Sequence, residues 1–245
     1  KLTEEPSMVL FDPDHIILKK VDFPKNEEWL TTQLTKDKNP IGRIEAAQGL
    51  ARFGGEKNAL ALKKVVLNDS FWAVRSETAR ILGGMKTKET LNHLLDALDT
   101  VDHPKVRRSI YAGLKILKNT SAATEIEKRF RKEPSYFAES EGLSAIGVLQ
   151  HPNAIEILKE GLEKESWNEV IRAAALEGIA ALKSTDFLPL IMTYTKPGHH
   201  QRLRMAAIRC LISFGAIDDQ IQNRLLELTQ DSFLLVQIAA VRGLH

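Results

Sequence analysis

Acidic residues and arginines recur along the chain at a spacing of six residues, which could bring them into shared chemistry. The spacing is complete at Asp37 with Arg43 and at Asp69 with Arg75. A guanidinium binds a carboxylate or a phosphate through two parallel hydrogen bonds, so an arginine column could act as an anion receptor. The same residues could instead interlace acid and guanidinium between neighbouring structural units. We favour this structural ladder, because the arginine position lies on the flank of a predicted buried stripe.

Other residues with chemical potential have simpler interpretations. His199 and His200 could bind a metal, but adjacent histidines usually point apart and no Glu or Cys stands at ligand spacing, so we interpret them as loop residues. Cys210 lies in an apolar helical stretch, which favours a buried thiol over a reactive one. The sequence therefore predicts no catalytic, cofactor or metal site in this chain.

The charge of the chain gives no reason to expect nucleic acid or a membrane as a partner. The formal net charge is +2 and the pI is near 8.6. The basic stretch 128–132 could bind phosphate, but Glu125, Glu127 and Glu133 stand beside it, so a solvated helix end is favoured. No apolar run approaches the roughly 18 residues that would span a bilayer.

The arginine position returns at a nearly constant period along the whole chain. It is Arg43, Arg75, Arg107, Glu139, Arg172, Arg204 and Gln237, with steps of 32 or 33 residues. A fixed period of this size is typical of a solenoid built from stacked helical units. The predicted ladder consists of Asp37, Arg43, Asp69, Arg75, Arg107, Arg172 and Arg204.

Each repeat is predicted to be a pair of helices, with the arginine position on the second helix. Counting residues from that position, which we call the column, predicts which face of the second helix is buried. Residues one before the column and three, seven and ten after it are apolar or small, and they fall on one stripe of a helix. Offsets one and five point away from that stripe. We therefore expect a contact face on the concave side of the solenoid, made of Gln48, Ser76, Arg80, Ser144, Glu177, Arg209 and Arg242.

The predicted fold is all-α, a right-handed α-α superhelix of about seven helix pairs over residues 24–245. Residues 1–23 differ, because two short apolar runs, 8–11 and 16–18, flank an Asp-Pro-Asp-His turn at 12–15. This pattern predicts a β-hairpin. Since an isolated hairpin is marginal in water, it must either pack on the first helices or be the remnant of an upstream β domain, and we favour the remnant.

Two family resemblances follow from these residues. The acid six residues before Arg, the Val-Arg pair at 74–75 and the period of 32 resemble HEAT repeats over residues 24–245. Residues 10–54 resemble the junction at which the β domain of microbial aminopeptidase N family members passes into a C-terminal helical domain.

The second resemblance implies a parent zinc aminopeptidase whose H-E-x-x-H and Gly-x-Met-Glu-Asn motifs lie upstream. Neither motif occurs here, so no catalytic residue carries over and zinc is expected only in the upstream domain. The chain would then be a non-catalytic, cytoplasmic cap that shapes the substrate chamber and meets peptide substrate or its own catalytic domain. The alternative is a free-standing HEAT scaffold that binds a protein partner on its concave face. The upstream reading frame separates the two.

Overall fold

Helices account for all the regular secondary structure in the described part of the chain. The structure is a computed structural model that describes residue 4 and residues 6–20, 23–215 and 218–244. These residues contain fourteen α-helices, two short 3-10 turns and no strand. The all-α prediction is thus confirmed for the described residues, whereas the handedness of the predicted superhelix and the boundary at residue 24 stay predictions. None of the described helices has the length and apolar character to cross a membrane.

The chain divides into two compact units. The first, Lys1–Leu117, contains three helix pairs, and its second helices pack side by side, α2 on α4 and α4 on α6. Its helices are α1 (Glu27–Lys36), α2 (Pro40–Phe53), α3 (Glu56–Asn68), α4 (Trp72–Met85), α5 (Thr90–Thr100) and α6 (Pro104–Leu117).

The second unit, Lys118–His245, contains four helix pairs, in which α8, α10, α12 and α14 pack in that order. The 3-10 turns Trp167–Glu169 and Thr185–Phe187 precede α10 and α11. Its helices are α7 (Ala122–Phe130), α8 (Tyr136–Val148), α9 (Ala154–Glu163), α10 (Val170–Leu182), α11 (Leu188–Tyr194), α12 (Gln201–Phe214), α13 (Asp219–Leu228) and α14 (Leu234–Gly243).

Local chemistry fixes where the first pair of helices begins and ends. Asn26 and Asn39 accept hydrogen bonds from the first turns of α1 and α2, satisfying amide groups that have no partner inside the helix. Pro40 starts α2, where its missing N–H is tolerated. Gly54 and Gly55 follow with positive φ angles, which only glycine adopts without strain, so the chain turns sharply into α3.

Neighbouring second helices approach closely at glycines. A Cβ added to Gly83 in α4 would lie 2.2 Å from the carbonyl oxygen of Gly113 in α6. In the second unit, a Cβ on Gly147 in α8 would lie 2.3 Å from the carbonyl oxygen of Gly178 in α10. Backbone therefore meets backbone at these positions, and any side chain there would force the helices apart.

The predicted β-hairpin is wrong for the described part of residues 1–23, because no strand forms there. The Asp12 side chain accepts hydrogen bonds from the amides of Ile16 and Ile17, which a strand ladder would have needed, and it pairs with Lys19. Lys19 lowers the pKa of Asp12 to about 2. Residues 21 and 22, at the end of the predicted hairpin region, lie outside the described residues. A single hairpin with no third strand to pack on is marginal, so local side-chain bonds prevail.

Candidate interaction surfaces

The arginine column binds the end of the preceding first helix. The last carbonyl groups of a helix have no partner inside it, and a guanidinium satisfies both their hydrogen bonding and their partial negative charge. The bonds run from Arg75 Nε to Val66 O (2.8 Å), from Arg107 Nη1 to Val101 O (2.7 Å), from Arg172 Nε to Leu162 O (2.9 Å) and from Arg204 Nε to Thr195 O (3.0 Å).

One ion pair of this column joins adjacent repeats of the first unit. Arg43 in α2 donates from Nε and Nη2 to the two oxygens of Asp69, at 2.7 and 2.9 Å. Asp69 also accepts from the Phe71 amide and so begins the turn into α4. Asp37 caps the amide of Asn39 in the same way, while its carbonyl rather than its carboxylate accepts from Arg43.

A second pair, Arg204 with Asp231, joins α12 to the turn before α14. The two side chains are only 2% and 5% exposed. Hydrogen bonding from Arg204 lowers the pKa of Asp231, and Asp231 Oδ1 also accepts from the Phe233 amide. Arg172 differs, since it pairs with Glu169 of its own repeat.

The position where the column holds Glu139 has a charge-reversed pair. Glu139 in α8 is buried and accepts from the ammonium group of Lys164, which follows α9. In the pairs of Arg43 and Arg204, the second helix supplies the base and the next repeat supplies the acid. In the pair of Glu139, the second helix supplies the acid and the next repeat supplies the base. Sequence reasoning missed this pair, although a search for either sign of charge 25 to 27 residues beyond the column would have found it.

The predicted contact face is only partly exposed. Ser76 and Ser144 are buried, at 4% and 2% exposure, so placing them on an open face was wrong. Each lies on a second helix that approaches one neighbour to backbone distance, α4 on α6 at Gly83 and α8 on α10 at Gly147, and such close packing covers small side chains. Arg80 is half-buried near Glu77. The remaining predicted residues are exposed: Gln48, Glu177, Arg209 and Arg242.

Large apolar side chains are exposed where α2, α4, α8, α10 and α14 begin, a feature that sequence reasoning missed. We call them the turn apolar residues; they are Ile41, Phe71 and Trp72 in the first unit and Tyr136, Trp167, Phe233 and Leu234 in the second. Trp72 is the best defined, since its ring stacks on His103 at 5.8 Å and lies 4.1 Å from the Lys105 ammonium group. In the sequence they can be recognised as apolar residues that stand two to five positions before the column and outside the buried stripe.

A cavity of about 480 Å³ lies between residues 11–19 and 23–25 on one side and the first helix pair on the other. Lys19, Lys25 and Arg52 line it together with Glu45 and Phe53. Lys19 is held by Asp12, and Lys25 donates to Gln33 at 2.7 Å. The charges around this cavity are therefore mixed and partly paired.

The other chemical candidates have structural roles. Burial raises the pKa of Cys210 to about 12, so its thiol is protonated at neutral pH. The His199 ring packs edge-on against Tyr194, while His200 caps α12 by accepting from the Arg202 amide. Across the described residues, no three or more His, Cys, Asp or Glu side chains form a group that could hold a metal ion.

The basic stretch 128–132 pairs with acids, as its surroundings predicted. Lys128 and Arg129 contact Glu125 at 2.5 and 2.8 Å, and Arg131 contacts Glu160 at 2.6 Å. These bonds lower the pKa of Glu125. The stretch is therefore a charge-compensated helix end.

Comparison with known proteins identifies the family. The model for HEAT repeats matches residues 59–147 and 155–245, and the chain belongs to the HEAT repeat family. The complex of CpcE and CpcF of phycocyanin lyase from Nostoc sp. PCC7120 has a similar fold, with 20% sequence identity, a TM-score of 0.57 and coverage of 94% of this chain and 97% of that chain. Human deoxyhypusine hydroxylase in complex with glycerol matches at 16% identity and a TM-score of 0.47, covering 89% of this chain and 94% of that chain. No curated protein sequence matches the chain.

Proposed function

We propose that the chain is a non-catalytic repeat scaffold that binds other proteins and needs no cofactor of its own. The observation that carries this proposal is the exposure of the turn apolar residues in each unit, with Trp167 64% and Leu234 67% exposed. The rings of Phe71 and Trp72 lie 5.8 Å apart, and exposed apolar side chains that lie together mark protein-binding surfaces, at which aromatic side chains supply much of the energy.

The fold supports the same proposal. HEAT repeats present long rows of equivalent positions on a scaffold that their stacking stabilises. The buried pairs Arg43–Asp69 and Arg204–Asp231 hold adjacent repeats together, which leaves the turn residues available for a partner. The similar phycocyanin lyase structure is itself a complex of two chains, which is consistent with a protein-binding role here.

The experiment is chemical cross-linking of the purified chain in an extract of its source, followed by identification of the attached protein. The double variant Phe71→Ser with Trp72→Ser should lose the partner. Leu60→Ser, an exposed apolar residue on α3, is the matched control and should retain it. Equal cross-linking by all three proteins contradicts a role for these turn residues, and hydrolysis of aminoacyl reporter substrates contradicts the non-catalytic assignment.

A finer proposal places the chain as the C-terminal domain of an aminopeptidase-N-like zinc peptidase. It rests on the resemblance of residues 10–54 and on the exposed apolar side chains of Phe11, Ile16, Ile17 and Leu18, which another folded domain could cover. Neither the family match nor the two structures named above is a peptidase. An H-E-x-x-H motif upstream in the same reading frame supports this proposal, and a stop codon directly upstream of residue 1 overturns it.

A further inference from the structure

A cleft on the second unit carries positive charge and no acid. It has a volume of about 350 Å³ and lies between the 3-10 turn Trp167–Glu169 and residues 200–209, at and after the start of α12. Its lining is Asn168, His200, Gln201, Arg202, Met205 and Arg209. Every polar group in this lining can donate a hydrogen bond, and none is a carboxylate.

The two arginines of the cleft are exposed and are not used by the fold. Arg202 and Arg209 form no ion pair within the described residues, in contrast to Arg172, Arg204 and Arg224 of the same unit. The whole of α12, residues 201–214, contains no Asp or Glu that could neutralise them. On the helices beside α12, the positions equivalent to Arg209 are the exposed Arg242 on α14 and the exposed Glu177 on α10, neither of which lines the cleft.

The remaining polar groups are oriented by the local backbone. His200 Nδ1 accepts from the Arg202 amide, so the neutral ring carries its proton on Nε2, which is a donor. Asn168 is held with φ 57° and Glu169 with φ 55°, an unusual conformation for two successive residues other than glycine. This backbone places the Asn168 amide at the wall of the cleft.

We propose that this cleft binds an extended acidic segment of a partner protein through two carboxylates three residues apart. Arg202 and Arg209 are seven residues apart, so they lie on one face of α12 about 10.5 Å apart along the axis. A polyproline II segment rises about 3.1 Å per residue with three residues per turn, so side chains at positions i and i+3 of such a peptide lie on one face, and their carboxylates match this separation at about 9 Å. Arg is suited to bind each carboxylate with two bonds.

The inference deepens the proposed scaffold function and rests on it for the nature of the partner. The test measures fluorescence anisotropy of two labelled, amidated peptides of equal composition, one with Glu-Ser-Ser-Glu and one with Glu-Glu-Ser-Ser at its centre. The first should bind the full chain about fivefold more tightly, because the second can reach only one arginine at a time.

The double variant Arg202→Gln with Arg209→Gln should weaken the first peptide roughly tenfold or more and remove the preference between peptides. The control Arg52→Gln with Lys57→Gln removes the same charge from exposed sites of the first unit and should change neither. Equal weakening by both double variants, or equal affinity for both peptides, overturns the proposal in favour of unspecific charge attraction. Tighter binding of a phosphoserine peptide that lacks carboxylates also overturns it.

The two proposals fail separately. Loss of the cross-linked partner on replacing Phe71 and Trp72 does not involve the cleft, so it can be observed whether or not the peptides bind. Absence of peptide binding together with an intact partner complex overturns only the acidic-segment inference. Peptide binding together with equal partner capture by the wild type and by the Phe71 and Trp72 double variant overturns only the role of the turn apolar residues.

Discussion

Arg204 and Asp231 form an ion pair that is almost fully shielded from water and joins α12 to the turn before α14. Arg204 also donates to the Thr195 carbonyl, so the guanidinium joins its own helix α12 to two other segments, the end of α11 and the turn before α14. Charges removed from water in this way are stable only when their partners are present, because an unpaired buried charge is very costly. This pair is therefore a sensitive point for the stability of the second unit.

Replacing Arg204 with Met should lower the free energy of unfolding by about 3 to 5 kcal/mol, because Asp231 loses its partner inside the protein. The control is Arg131→Met, whose pair with Glu160 is largely exposed, and it should cost less than about 1 kcal/mol. Urea denaturation followed by circular dichroism measures both. Similar losses for the two variants contradict the role assigned to burial.

The stabilisation from Asp231 should depend on pH. Its pKa in the folded state is lowered below the unfolded value of about 3.9, so its contribution is present above pH ~4 and is lost as the pH falls through the folded pKa. The difference in unfolding free energy between the wild type and Asp231→Asn should therefore be largest near neutral pH and shrink below pH ~4. Other acids are common to both proteins and cancel. A difference that stays constant from neutral pH to pH ~2 contradicts the assignment.

Glu139 and Lys164 should behave as an exchangeable pair. Either Glu139→Lys or Lys164→Glu alone places like charges together next to a buried position, and each should cost about 1 to 3 kcal/mol. The double variant restores opposite charges and should recover at least half of the summed loss. Thermal unfolding of the four proteins gives the coupling energy, and a coupling near zero shows that the two side chains act independently.

Two adjacent glycines in α4 should respond in opposite ways to alanine. Gly83→Ala puts a Cβ against the Gly113 carbonyl and should destabilise the first unit by about 1 to 3 kcal/mol. Gly84→Ala has no atom within 4 Å of the new Cβ and should stabilise by about 0.5 to 1 kcal/mol through helix propensity. Both substitutions restrict the unfolded chain equally, so the difference between their melting temperatures isolates the helix contact. Equal shifts would falsify the close approach.

Cys210 should resist alkylation in the folded protein. The thiolate is the reactive form, and burial both raises the pKa to about 12 and blocks access. Iodoacetamide should label it slowly in buffer and quickly in urea, as followed by mass spectrometry. Labelling in buffer at the rate of a free cysteine contradicts a buried structural role.

The repeat period and the apolar stripe predict the helix pairs because both depend on regular spacing along a single helix. They fail where neighbouring segments decide the outcome. Phe53, ten residues after Arg43, was expected in the core but is 56% exposed, because α2 ends there and the chain turns away at Gly54. Burial of Ser76 and Ser144 depends on the separation of adjacent helices, which no single-helix pattern contains.

The contact surfaces are less predictable than the fold for a similar reason. The exposed arginines of the α12 cleft belong to the predicted outward column only in part, since Arg209 was included and Arg202 was not. Arg202 lines the cleft because the unusual backbone at Asn168 brings a 3-10 turn beside α12. Periodicity cannot reveal a cleft formed by a connection that departs from the repeat.

The reversed charges of Glu139 and Lys164 also affect the order in which similar repeats assemble. Repeats of one chain resemble each other, so a folding intermediate could stack a helix pair against the wrong neighbour. In such a mispaired state Glu139 would meet Asp231, or Arg204 would meet Lys164, and like charges would repel at a site that excludes water. The opposite signs of these two buried pairs thus favour the correct order of stacking over the alternative in which their partners are exchanged.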